Sequence, residues 1–276
     1  MQTSNDISRF QELIKTHYRR FGRTFPWRDS CNPYEITVSE IMLQQTGTER
    51  VLKKYQPFIE AFPSFEILSS SSLKGILSLW QGLGYNRRAK FLKELSQIVC
   101  RDFGGILPED PSVLRKFPGI GPGTAGSLAA FIYNKPVVFI ETNIRRVFLH
   151  FFFTNCEKIT DKEIFPLIEA SLDNKNPRIW YYALMDYGVY LKSLYPNANK
   201  RSAHYSVQSR FENSNRQVRG KIIKLLTETD DSKKELFTAE EIADSVGFDI
   251  TRVKIAVEEL TAEGIVAEKN NSYRIN

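Results

Sequence analysis

Leu114-Arg115-Lys116-Phe117-Pro118-Gly119-Ile120-Gly121-Pro122-Gly123-Thr124-Ala125-Gly126 is the stretch whose reading decides the fold. Its spacing predicts a helix ending at Phe117, a hairpin of glycine and proline, and a second helix beginning near Thr124. Glycines at 119, 121 and 123 let the backbone come close to a partner, and the amides that open the second helix point outward. A helix N-terminus of that kind is an anion site suited to phosphate. A plain tight turn between two helices is the competing reading of the same residues.

Around this hairpin the chain reads as helical. Apolar residues recur three and four apart, as in Phe10, Leu13 and Ile14, then Val51, Leu52 and Tyr55, then Phe91, Leu92, Leu95 and Val99. Pro26, Pro33, Pro63, Gly82, Gly84, Gly104, Gly105, Pro108 and Pro111 fall where helices start or stop. Before residue 260 one β-branched run stands out, Pro136-Val137-Val138-Phe139-Ile140, which reads either as a short strand or as an extended lead-in to the next helix. Residues 196–215 are polar and rich in Asn and Ser, the composition of a linker. Beyond them a helix is expected over Gln217–Thr227. A second should start at the cap Thr238, with Glu241 three residues on. A third, Ile250–Glu263, should be closed by Gly264. A hairpin turning at Asn270-Asn271 completes a winged-helix-like pattern over 216–276.

The bulk composition narrows the function. The chain has 276 residues and a net charge of +6. Residues 216–276 carry 10 basic and 12 acidic side chains, and residues 1–215 carry 28 and 20, so the positive excess lies in the first three quarters. Such an excess suits a polyanionic partner. Cys31, Cys100 and Cys156 are too few and too scattered for a disulfide framework or a cysteine-built metal site, which suits reduced thiols. With no apolar run long enough to span a bilayer and no apolar leader at the start, a cytoplasmic location without a membrane partner is expected.

The stretch LRKFPGIGPGTAGSL resembles the helix-hairpin-helix of the base-excision DNA glycosylases that include endonuclease III and the MutY-type adenine glycosylases. Pro26-Trp27-Arg28, Pro33-Tyr34, Val38-Ser39-Glu40-Ile41-Met42-Leu43-Gln44-Gln45-Thr46 and Trp80-Gln81-Gly82-Leu83-Gly84-Tyr85-Asn86-Arg87-Arg88-Ala89 are similar to the MutY type specifically. Ile140-Glu141-Thr142-Asn143-Ile144-Arg145-Arg146-Val147 aligns with the segment that holds the family's catalytic aspartate, and Ala183-Leu184-Met185-Asp186-Tyr187-Gly188 matches a later one. The likeness runs colinearly over about residues 8–192. It implies an all-α, two-lobed helix-hairpin-helix glycosylase fold over 1–195, followed by a linker and the small C-terminal winged-helix-like domain. The implied partner is double-stranded DNA with a mismatched or damaged base, bound by a monomer.

Excising adenine asks for two carboxyl groups. The base leaves poorly unless a ring nitrogen is protonated, and the sugar becomes an oxocarbenium-like cation, the demands met in glycoside hydrolysis. The resemblance assigns the proton donor to Glu40. The family's second carboxylate, an aspartate facing the cation, falls at Glu141, which keeps the charge on an arm one methylene longer. The lysine of lyase-active relatives falls at Gly123, so water is the expected nucleophile. Gln45 and Thr46 would approach the base opposite the lesion, and Leu83 and Tyr85 would wedge into the stack. Arg87, Arg88, Lys90, Arg145 and Arg146 would supply backbone contacts. Asn143 is also expected at the DNA, with Gly119, Gly121, Gly123 and Thr124 at a phosphate.

Two departures mark this chain. Relatives hold an iron–sulfur cluster on four cysteines after the ALMDYG-type segment; none of residues 187–211 is cysteine, so no cofactor and no metal are expected beyond a monovalent cation that the hairpin carbonyls leave room for. The basic stretch Lys192, Lys200, Arg201 and His204 is then the candidate for the contacts that the cluster loop makes elsewhere. The 8-oxoguanine-recognising domain that usually ends MutY-type chains is replaced by 216–276. The leading expectation is a monofunctional glycosylase for adenine opposite guanine or 8-oxoguanine. Uracil or thymine removal from guanine mismatches is one alternative, and structure-specific DNA binding without catalysis is another.

Overall fold

The computed structural model describes residues 4–229 and 236–276. In chain order come α1 (Ser4–Phe21), α2 (Pro26–Asp29), α3 (Pro33–Leu43), α4 (Thr48–Ala61), α5 (Phe65–Ser70), α6 (Leu73–Trp80) and α7 (Arg87–Phe103). Then follow α8 (Pro111–Leu114), α9 (Pro122–Tyr133), α10 (Thr142–Phe152), α11 (Asp161–Ser171), α12 (Pro177–Leu194) and a 3-10 turn at Ala198–Arg201. The C-terminal part is α13 (Asn215–Glu228), β1 (Phe237–Thr238), α14 (Ala239–Val246), α15 (Ile250–Ala262), β2 (Val266–Lys269) and β3 (Ser272–Ile275). The mostly helical architecture is the expected one. No described helix is long and apolar enough to cross a membrane.

These elements form two compact units, each assembled from separate stretches of chain. The first holds the described residues through Ile36, together with Pro108–Lys116 and Ile120–Val207. Its core gathers Phe10 and Ile14 of α1, Phe131 of α9, Phe148 of α10 and Trp180, Tyr181 and Leu184 of α12. α12 packs on α1, α9 and α10. The approach to α10 is so close that a Cβ on Gly188 would lie 2.5 Å from the Asn143 carbonyl oxygen, so only glycine fits there. Pro136–Ile140 forms no ladder and is the extended lead-in to α10. Helices satisfy it instead: Tyr181 Oη donates to the Val137 carbonyl at 2.6 Å, and Phe139 packs on the Tyr181 ring at 4.1 Å.

Asp186, on α12, is the buried anion of this unit. Arg23 Nε and Arg28 Nη2 each donate to Oδ1 at 2.8 Å, and the Arg23 amide and Arg28 Nη1 donate to Oδ2 at 2.8 and 2.9 Å. Burial raises the Asp186 carboxyl, but the hydrogen bonds and charge of Arg28, and then of Arg23, outweigh it and hold the pKa below the usual aspartate value. A depressed carboxyl stabilises the fold above its unfolded pKa and loses that contribution as pH falls through the lower folded value. Stability measured by denaturant titration is therefore expected to drop as pH falls below about 4, and Asp186→Asn should flatten that dependence. An equally steep acid slope in the variant would assign the dependence to other groups.

The second unit comprises Thr37–Leu107, Phe117–Gly119 and Gln208–Asn276. Phe58, Leu77, Trp80, Leu92, Leu95, Val218 and Ile222 are fully buried in it. α6 packs on α13, where Lys74 Nζ donates to the Thr229 carbonyl at 2.7 Å and Gln81 Nε2 to Thr227 Oγ1 at 3.3 Å. Thr238 and Glu241 form the expected reciprocal cap of α14. Gly264, left-handed at φ +66°, follows α15. Asn270 and Asn271 both take left-handed φ, the signature of a two-residue hairpin turn. The sheet order is β1-β3-β2, antiparallel throughout, with Val266 opposite Ile275 and Phe237 opposite Tyr273.

Candidate functional site

Asn32 and Pro33, in the first unit, start α3, with Asn32 Oδ1 accepting from the Tyr34 amide at 2.9 Å; from Thr37 on the helix belongs to the second unit. Glu40 lies half-buried near the end of this helix, between buried Ser39 and buried Ile41. Arg88 closes the helix. Its Nη1 donates to the carbonyls of Ile41 and Met42, each at 2.8 Å, and to Gln44 at 2.6 Å. Its Nη2 donates to Thr46 Oγ1 at 3.0 Å and to the carbonyls of Leu83 and Gly84 at 3.2 and 2.9 Å. A cation on the last carbonyls of a helix satisfies them and complements the helix dipole. One guanidinium thus staples the end of α3 to the loops 44–46 and 82–85.

This arrangement revises several expectations for individual residues. Arg88, 7 % exposed, is turned inward as a staple instead of outward to a DNA backbone. Burial pushes its pKa down to about 10, with the neighbouring Tyr85 hydroxyl pulling the other way, so it remains charged at neutral pH. Thr46, 8 % exposed, donates to the Leu83 carbonyl at 3.2 Å and serves the same staple. Leu83 is 1 % exposed and packs inside the unit, where it has no face to offer as a wedge. Gln45 and Tyr85 do occupy loop tips. Both are non-glycine residues in left-handed backbone, at φ +54° and +48°, and Gln45 is exposed while Tyr85 is half-buried. Strained conformations of this kind persist where surroundings fix them and concentrate at functional sites. The inward role of Arg88 had one sequence signal: it lies four and seven residues before Leu92 and Leu95, on the apolar stripe of α7.

At the hairpin, the first helix is the single turn α8, and the chain turns through Lys116–Gly119 before α9 begins at Pro122, two residues earlier than expected. Gly119 has φ +74°, and a Cβ there would meet the Phe91 ring at 2.9 Å. Its carbonyl accepts from Gln44 Nε2 at 3.2 Å. Gly121 is the exposed N-cap of α9 and offers no side-chain cap. Gly123 and Thr124 follow in the first turn, half-buried. A Cβ on Gly123 would lie 3.2 Å from the Ile140 carbonyl oxygen, so a side chain here would press on the segment that leads into Glu141.

Glu141, in the first unit, is the N-cap of α10. Oε1 accepts from the amides of Asn143 and Ile144 at 2.7 and 2.8 Å, and Oε2 from Asn143 Nδ2 at 3.3 Å. Asn143 Oδ1 in turn accepts from Arg146 Nη1 at 2.6 Å, and Arg146 Nη1 reaches the Gly188 carbonyl at 2.9 Å. Glutamate is an uncommon cap; its longer arm folds back onto the helix start, which absorbs the additional methylene. Burial pushes its pKa up, against the Asn143 and Ile144 amides and the charges of Arg146 and Arg145. Arg145 Nε and Nη2 each donate to Asp161 at 2.7 Å, and Asn143 is held by Glu141 and Arg146.

The residues after α12 do not fit an iron–sulfur cluster, because they supply no thiolate. Among the described residues no group of three His, Cys, Asp or Glu is placed to hold a metal ion. Side chains tie this segment down: Asn199 Nδ2 donates to the Thr142 carbonyl at 3.1 Å and Arg201 Nη2 to the Leu149 carbonyl at 2.8 Å. Arg201 is therefore inward, whereas Lys192, Lys200 and His204 are exposed.

The chain is similar to known proteins in sequence and in fold. A family model described as HhH-GPD superfamily base excision DNA repair protein matches residues 38–171. The adenine DNA glycosylase of Buchnera aphidicola subsp. Baizongia pistaciae is 37% identical over 182 residues, 65% of this chain and 52% of that protein. That of Mycobacterium tuberculosis (strain CDC 1551 / Oshkosh) is 39% identical over 131 residues, 47% of this chain and 43% of that protein. The chain thus spans about half the length of the curated relatives it matches. Among solved structures, a thermostable thymine-DNA glycosylase aligns with a TM-score of 0.61 and 28% identity, covering 66% of this chain and 85% of that one. A non-covalent endonuclease III–DNA complex aligns at 0.60 with 18% identity, covering 71% and 91%, and shows the shared fold.

Proposed function

We propose that this chain, whose residues 38–171 match the model described as HhH-GPD superfamily base excision DNA repair protein, is a monofunctional DNA N-glycosylase that removes adenine mispaired with guanine or 8-oxoguanine. The observation that carries this reading is Glu40, a half-buried carboxyl on the rigid end of α3 that Arg88 closes, within the segment SEIMLQQT. A pyrimidine leaves without ring protonation; a purine needs the acid. In the proposed reaction the target base flips out of the duplex. Glu40 donates its proton to N7, the C1′–N9 bond breaks and its electron pair stays with adenine. Glu141 stabilises the sugar cation; water adds at C1′ and gives up its proton to that carboxylate. Gly123 supplies no amine for a Schiff base, so an abasic site is the product. The uncapped start of α9 is the phosphate site of this reading.

Glu141 acts in its ionised form, so the rate should rise with pH through its folded pKa, which lies above the ordinary glutamate value. Glu141→Asp retains a helix cap but withdraws the carboxylate. Its single-turnover rate is expected to fall about tenfold, with stability changed by less than about 1 kcal/mol. An unchanged rate would remove Glu141 from the reaction. The reading as a whole is tested by incubating the protein with duplexes holding A, T or U opposite G or 8-oxoguanine, then treating with alkali. Cleavage of A-containing strands alone is the expected result. Cleavage at T would favour the second reading, thymine removal, which the thymine-DNA glycosylase likeness supports. No cleavage of any strand would leave only DNA binding.

A further inference from the structure

The segment after α12 reaches the helix start that holds Glu141. Asn199 is buried, and its Nδ2 donates to the Thr142 carbonyl at 3.1 Å. That carbonyl and the Asn143 amide belong to one peptide unit, and the Asn143 amide donates to Glu141 Oε1 at 2.7 Å. A peptide unit is planar and rigid, so fixing its carbonyl also fixes the direction of its N–H. A donor on the carbonyl polarises the unit as well, which strengthens the hydrogen bond that the N–H gives. Asn199 thus reaches the carboxylate through a single peptide.

The backbone around Asn199 is anchored independently of that contact. Asn197 Oδ1 accepts from the Asn199 amide at 3.2 Å, and the Asn199 carbonyl accepts from the Ser202 amide at 3.0 Å. The Ile159 amide donates to the Arg201 carbonyl at 2.9 Å, and the Ala203 amide to the Ile159 carbonyl at 2.8 Å. The charges that act on Glu141 come from α10: Arg146, which holds Asn143, and Arg145. Against α10, α11 brings Asp161, which pairs with Arg145. α12 sets Gly188 against Asn143 and keeps Asp186 on Arg23 and Arg28. In the segment 197–203, Lys200 is exposed and Arg201 turns to the Leu149 carbonyl, at the other end of α10.

We propose that Asn199 is a positioning residue for Glu141: it holds the peptide whose N–H fixes the carboxylate, and so brings the segment after α12 into the machinery of the reaction. This rests on the reading that Glu141 acts as a carboxylate in base release. The dependence follows from the long arm of glutamate, which folds back onto the helix start and takes its hydrogen bonds there. Burial pushes the Glu141 carboxyl up, and the Asn143 amide opposes that push. Weakening the amide lets the pKa climb further, so less carboxylate is present at a given pH.

The test follows the Glu141 carboxyl carbon by 13C NMR through a pH titration of the full chain, the signal being assigned by its loss in Glu141→Gln. Single-turnover base release from an A:G duplex is measured over the same pH range. Asn199→Ala should raise the NMR midpoint by about half a pH unit or more. The rising limb of the rate should move with it, a loss of about threefold on the limb that shrinks as pH rises above it. Affinity for the duplex should change by less than about threefold. Arg201→Met frees the same segment from the Leu149 carbonyl without touching Thr142, and should lower stability while leaving the midpoint in place. An unmoved midpoint in Asn199→Ala, a rate loss equal at every pH, or the same shift in Arg201→Met would each overturn the proposal. A wild type that releases no base would sink the enzymatic reading, and the NMR midpoint would still decide whether Asn199 holds the Glu141 carboxyl.

Discussion

Replacing Glu40 by glutamine is expected to lower single-turnover adenine release by about a thousandfold or more, the scale of a lost general acid whose proton is needed to make the leaving group viable. Glutamine preserves the length and hydrogen-bonding shape of the side chain, so α3 and its junction with Arg88 should remain intact. Affinity for an A:G duplex should change by less than about threefold, since the loss is confined to the transition state. The combination of full binding with abolished release separates a proton donor from a positioning group. A variant that retains activity would remove Glu40 from the role given to it and with it the argument for a purine substrate.

The largest structural effect is expected from Arg88→Met. Methionine matches the stem of arginine in length but brings none of its donors. Seven acceptors lose a donor at once: the carbonyls of Ile41, Met42, Gln44, Leu83, Gly84 and Tyr85 and the hydroxyl of Thr46, although the carbonyls of Ile41, Gln44, Leu83, Gly84 and Tyr85 keep a second one. Each buried polar group left unsatisfied costs about 1–3 kcal/mol; water can reach part of this set, so a destabilisation of about 3 kcal/mol is expected in denaturant titrations. The staple also fixes the end of α3 that carries Glu40 and the loop tips at Gln45 and Tyr85. At temperatures where the variant is folded, the release rate should therefore fall about a hundredfold, because catalytic geometry is sensitive to shifts near 1 Å. Stability within about 0.5 kcal/mol of wild type would show that the carbonyls find other partners.

Much of the fold was legible because its determinants are local. The hairpin announces itself through Pro118, Gly119, Gly121 and Pro122, and the caps of α14 and the β2–β3 turn follow from Thr238, Glu241, Asn270 and Asn271. Glu40 and Glu141 were found by resemblance, each inside a long motif. What stayed hidden depends on partners far apart in sequence. Nothing around Asn199 or Arg201 signals that they reach the carbonyls of Thr142 and Leu149, so their segment read as a free linker. Arg88 and Thr46 read as DNA ligands because a motif gives residue type and not direction. Only the 88–92–95 register of α7 pointed inward. Glu141 offered no sign that its additional methylene would be taken up by capping α10. Pro136–Ile140 had strand composition but no neighbour to pair with, and the aromatic side chains of α9 and α12 took it over. The hydrogen bond from Gln208 to Tyr85 was invisible for the same reason: 123 residues separate Gln208 from the hydroxyl it touches.

The central claim is that a carboxylic acid on α3 protonates a purine ring so that water can replace it. The most direct measurement is chromatographic detection of the free base released from two duplexes that differ in one atom, adenine opposite guanine and 7-deazaadenine opposite guanine. The account predicts that adenine appears in solution and that 7-deazaadenine stays attached, although both duplexes bind with similar affinity. Release of both bases at comparable rates, or of neither, would contradict it.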